Sequence, residues 1–95
     1  MRAVDADVLG IEQAQRAERL AALQKQRVLL EGLHEDIGIS IRLLSSLPSS
    51  SRWRSPAGAA YANRRDELRC ELWAAQRQVN EAIAAVCRAI TAAGA

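Results

Sequence analysis

The sequence predicts an all-α protein: an antiparallel two-helix hairpin that pairs with a second hairpin into a four-helix bundle. Three observations carry this expectation. Two long segments, about residues 5–46 and 56–92, consist mainly of good helix formers and contain no proline past their first position. Each repeats apolar residues at spacings of three, four or seven, the period of one helical face. Between them lies "SSLPSSSRWRSP", Ser45–Pro56, rich in serine and proline and therefore a loop. Apolar residues make up 49% of the 95 residues without a single Phe, which favours helices over a β-sandwich.

In the first segment Leu23, Leu30, Leu33, Ile37, Ile41 and Leu44 fall on one face and are expected to form the hairpin seam. Gln26 interrupts the stripe, and Glu12, Gln15 and Arg19 replace it farther back, so the first turns should pack loosely. A second apolar edge of Val28, Gly32, Ile39 and Leu43, flanked by Ala21, lies well away from the first. A hairpin needs one edge only, so the second is expected to meet another chain.

In the break, Pro48 biases Leu47 away from helical backbone. Ser55 followed by Pro56 reads as a helix start, with serine as N-cap and proline at the first helical position. The second segment then keeps Tyr61, Leu68, Leu72, Ala75, Val79, Ala82, Val86 and Ile90 at heptad-like spacing, a coiled-coil-like seam ending before Gly94. At ~1.5 Å per residue the two helices match in length, as an αα-hairpin requires. Trp73 lies about 140° from the centre of that seam at 3.6 residues per turn. An aromatic so placed is expected to anchor a partner.

The junction carries the most specific pattern: Trp53, Ser55, Ala57 and Tyr61, in the order W-x-S-P-A-x-x-A-Y. It resembles the turn signature of the WXG superfamily, the early-secreted-antigen-like (ESAT six-like) proteins of bacterial type VII secretion, in its W-x-S variant. The resemblance spans the whole chain in architecture and some nine residues in motif. It implies a two-helix hairpin with the tryptophan in its turn, paired as a homodimer or heterodimer with a helical protein. It further implies either a co-secreted partner or a targeting chaperone for the helical N-terminal region of a toxin, the pair being presented to the secretion ATPase. No Y-x-x-x-[DE] follows the second helix, so the expectation is that a partner supplies the export signal or that the chain acts as a non-secreted adaptor. In physical terms, Trp53 at the open end of a hairpin caps the seam, and the small residues Ala57 to Ala60 allow close approach.

The remaining features exclude other classes. Thirteen Lys plus Arg against eleven Asp plus Glu is too balanced to imply a nucleic-acid or membrane partner. Arg52, Arg54, Arg64 and Arg65 cluster at the turn and read as a solvated tip, the nucleic-acid alternative lacking interleaved aromatics. No apolar run approaches the ~20 residues of a membrane span. "MRAVDADVLG" is too acidic for a secretory signal peptide, so the chain is expected in the cytoplasm or exported together with its partner. His34 is the sole histidine and reads as a surface residue rather than a zinc ligand. Glu35 and Asp36 point apart on a helix, and no phosphate loop or nucleophile motif exists, so neither an enzyme nor a cofactor is expected. Cys70 and Cys87, seventeen residues apart on one helix, stand ~25 Å apart and cannot bridge within the hairpin. They read as reduced thiols or as one end of an intermolecular bridge. The alternative to the secretion reading is a coiled-coil scaffold or immunity-type binder unrelated to export.

Overall fold

The structure, a computed structural model, describes residues 2–47 and 55–94, with side chains from residue 8 onward. It is an all-α helical hairpin of two helices, α1 (Arg2–Ser45) and α2 (Pro56–Gly94). Helix α1 begins at Arg2 rather than near residue 5, and α2 runs to Gly94 rather than stopping near 92. Neither extension meets a proline, and helix ends move by a residue or two at little cost.

Local chemistry sets the described ends of the two helices. At the end of α1 the Ser46 N–H donates to the Arg42 carbonyl at 2.9 Å, and its Oγ donates to the Leu43 carbonyl at 2.9 Å. The Leu47 N–H tightens the last turn onto the Leu44 carbonyl at 3.4 Å. Three carbonyls that a helix end leaves without partners are thereby satisfied. At the start of α2 the Gly58 N–H donates to Ser55 Oγ at 3.0 Å, and the Ala59 N–H donates to the Ser55 carbonyl at 2.8 Å. Ser55 is thus the N-cap, and Pro56 occupies the first position, where its missing N–H is not needed. Residues 48–54, including Pro48, Arg52, Trp53 and Arg54, lie outside the described residues.

The chain forms two compact units, one of Met1–Glu31 with Ala82–Ala95 and one of Gly32–Glu81. In the first, every described residue from Val8 to Arg19 is exposed, and packing begins at Leu20, Leu23 and Leu30. Its α2 side contributes Ile83, Val86 and Ile90, all half-buried. The second unit holds the core: Ile37, Ile41 and Val79 are its buried apolar side chains among the described residues.

Along each helix a line of buried and half-buried positions runs at alternating spacings of three and four. On α1 it runs through Leu20, Leu23, Arg27, Leu30, His34, Ile37, Ile41 and Leu44. On α2 it runs through Gly58, Ala62, Arg65, Arg69, Leu72, Gln76, Val79, Ile83, Val86 and Ile90. Two expectations need correcting. Leu33, expected in the seam, is 47% exposed, and the neighbouring His34 takes its place half-buried. Tyr61 likewise is 50% exposed, and the half-buried position belongs to Ala62. The physical reason is phase: hydrophobicity chooses Leu33 and Tyr61, but the line through Leu30, Ile37 and Ile41 passes one residue to the side. Leu68, Ala75 and Ala82 are half-buried on the flank of the α2 line rather than at its centre.

Two stability measurements check this. Ser55→Ala removes the cap of α2 and is expected to lower unfolding free energy by ~1 kcal/mol in urea denaturation. Leu33→Gln is expected to change stability by less than about 0.5 kcal/mol, whereas His34→Leu should raise it by about 1 kcal/mol. The opposite ranking in the same titrations would return Leu33 to the seam.

Candidate interaction surface

Among the described residues of the 32–81 unit, an open groove lies on each side of the seam. The first, about 590 Å³, is lined on α1 by Gly38, Ile41, Arg42, Ser45 and Ser46, and on α2 by Trp73 and Gln76. Gly38 contributes open floor to it. A methyl built there would meet only Arg42 Nη1 and Gln76 Nε2, both at 3.8 Å. Trp73 stands about 80° from the line through Arg69, Leu72, Gln76 and Val79, not about 140° as expected, because that line is displaced from Leu68 and Ala75 toward it. The indole is 51% exposed at the groove edge. Arg42 brings the groove's formal charge, and Gln76 Oε1 is buried there without a hydrogen-bond partner.

The second groove, about 450 Å³, is drier. Leu43, Leu44, Leu68 and Leu72 line it with Ser40, and Glu71 is its charged residue. It runs into a notch of about 90 Å³ formed by Leu44, Tyr61, Arg64, Arg65 and Leu68. Leu44 and Leu68 belong to both. Arg64 Nη1 pairs with Glu67 Oε2 at 3.2 Å, and Arg65 Nη2 pairs with Asp66 Oδ1 at 3.6 Å. The Arg65 side chain is 15% exposed, and its Nε is buried without a hydrogen-bond acceptor.

The residues expected at a partner interface divide between the units. Gly32, Ile39, Leu43 and Trp73 are exposed in the 32–81 unit, Leu43 at 63%; Val28 is exposed in the other. Leu43 and Trp73 line different grooves, so they do not form one patch. Of the turn motif, Ser55 caps α2, Ala57 and Tyr61 are exposed, and Trp53 is not among the described residues. Gly58 beside them is buried. The sequence reading missed the notch, taking Arg64 and Arg65 for a solvated tip. The available signal was Arg65 standing seven residues before Leu72 on the heptad line.

Family models, curated proteins and solved structures yield no match to this chain. Among the described residues no group of three or more His, Cys, Asp or Glu is placed to hold a metal ion. No described helix is long and apolar enough to cross a membrane. Cys70 is a free, exposed thiol and Cys87 a free, half-buried one. The geometry supplies surfaces for packing: one groove of mixed lining bordered by Trp73, the other leucine-lined with arginines beside it.

Because the space over Gly38 is open, Gly38→Ala is expected to stabilise the hairpin by about 0.5–1 kcal/mol through helix propensity. Thermal unfolding should show a rise of a few degrees. A fall in Tm would mean that the methyl meets something closer than the neighbours seen here.

Proposed function

We propose that this chain is a small WXG-like protein of a type VII secretion system that acts by docking against a helical partner to complete a four-helix bundle. The observation that carries this reading is the distribution of apolar side chains. Among the described residues of the 32–81 unit, Ile37, Ile41 and Val79 are buried, whereas Leu33, Ile39, Leu43, Leu47 and Trp73 face outward. Fully burying an exposed side chain of this kind is worth about 1.5–3 kcal/mol, and covering the half-exposed ones here would recover part of that, so a partner helix has apolar surface to cover.

The role at the secretion system follows from the resemblance of Trp53, Ser55, Ala57 and Tyr61 to the superfamily's turn signature. In that role the chain is a co-secreted partner or a targeting chaperone for the helical N-terminal region of a toxin. The pair then presents a composite signal to the secretion ATPase. No chemistry is required of the chain itself; its work is burial of the partner's apolar helix faces.

Co-expression with neighbouring reading frames, followed by affinity capture and light scattering, tests this directly. The expected result is a stoichiometric complex that Leu43→Asp dissociates, returning the chain to its 10.4 kDa mass. A Leu43→Asp complex of unchanged mass would reject the Leu43 face as the interface.

A further inference from the structure

The leucine-lined groove and the arginine notch share Leu44 and Leu68, and that continuity says more about the partner than apolar surface alone does. The geometry points to a partner helix with a leucine-type stripe that ends in an acidic residue, whose carboxylate enters the notch between Arg64 and Arg65. This inference rests on the helix-docking reading above and names the chemistry of the docked helix.

The argument starts from Arg65. It stands on the heptad line, so its side chain is drawn into the edge of the seam and is only 15% exposed. A guanidinium in that position needs acceptors for its N–H groups. Arg65 has one ion pair, through Nη2 to Asp66 at 3.6 Å, and its buried Nε donates to no acceptor. Asp66 is the adjacent residue and is itself half exposed, so it leaves Nε unserved. A carboxylate arriving from outside meets the Nη side of the guanidinium first, and a small turn of that group outward would give the buried Nε an acceptor as well, the paired geometry for which guanidinium is suited. The arrangement in the free chain does little to resist that exchange. The Arg64–Glu67 pair is exposed on both sides, and such pairs contribute little to stability.

The apolar half of the site limits what can bring the carboxylate. Leu43, Leu44, Leu68 and Leu72 line a groove between two helices, a surface that accepts an amphipathic helix presenting residues at i, i+3 or i+4, and i+7. Glu71 lies on the wall away from the notch and repels further negative charge there. One acid at the notch end therefore suits the surface, and a uniformly acidic ligand does not. Charge thus fixes the direction in which the partner helix lies.

The test uses the full chain and a displayed library of helical peptides about three heptads long, with leucine on the stripe and randomised flanks. Peptides selected on the wild-type chain should carry Asp or Glu at one end of the stripe. Exchanging that acid for its amide should weaken binding roughly tenfold by fluorescence anisotropy, a loss absent with Arg65→Ala. Selection on the Arg64→Glu/Arg65→Glu chain, with helicity checked by circular dichroism, should reverse the preference to Lys or Arg. Peptides that bind with no acidic preference, or that keep it with Arg65→Ala, would overturn the notch while leaving helix docking intact. Failure to select any helix that Leu68→Asp rejects would overturn both. If the chain alone sediments as a dimer that Arg65→Glu dissociates and no peptide competes, the occupant is a second copy and the separate acidic partner is refuted.

Discussion

The rest of the structure depends on a heptad line that carries polar side chains where a self-sufficient hairpin would carry leucine. Arg27, His34, Arg65, Arg69 and Gln76 all stand at positions of the three–four alternation. Helices with such residues still associate, because Leu30, Ile37, Ile41, Leu72 and Val79 stand on the same lines. They cannot close tightly, since a guanidinium or amide inside a seam must keep a route to water or find an acceptor. Arg27 Nε, Arg65 Nε and Gln76 Oε1, buried without hydrogen-bond partners, are the local cost of that compromise. A polar residue at a seam position also restricts register, because sliding the helices would bury it against the wrong neighbour.

Both grooves follow from this constraint. Where the seam holds Gln76 opposite Gly38, the helices leave space that an indole borders but does not fill. Where it holds Leu72 near Leu44, the space is apolar, and Leu43 extends it outward. The two sides of the 32–81 unit are therefore chemically unlike. On the docking reading proposed above, a helix that suits one side would not suit the other, which favours a single docking face over indiscriminate bundling.

Much of this was legible from residue order. Helix formers without internal proline give two helices, and Ser55–Pro56 gives the start of α2 because capping chemistry is local and needs no knowledge of tertiary contacts. The phase of the seam was harder to read. A hydrophobic stripe drawn through Leu33 and Tyr61 ignores that a helix buries whatever its period places inward, including His34 and Arg65. One residue of phase moves a side chain by about 100°, enough to exchange a surface histidine for a surface leucine and to bring Trp73 toward a groove. The notch was legible only in part: Arg65 stands seven residues before Leu72, but that Leu44 of the other helix lines the same space could not be read from spacing.

A seam this sparing of apolar burial also bears on how the chain would be used. Ordering a residue costs about 1–2 kcal/mol, and among the described residues only Ile37, Ile41 and Val79 are buried apolar side chains to set against it. Anything that binds the folded hairpin and not the unfolded chain adds its own free energy to stability by mass action. On the docking reading proposed above, folding and partnering would be linked, because the leucines left outside would be both the binding surface and the part of the core that the hairpin lacks. Filling the seam with leucine at His34 and Gln76 would make the hairpin more self-sufficient and weaken that linkage. The polar seam and the exposed leucines are two sides of one arrangement: positions that would close the hairpin carry His34 and Gln76, while Leu33 and Leu43 stand outside it.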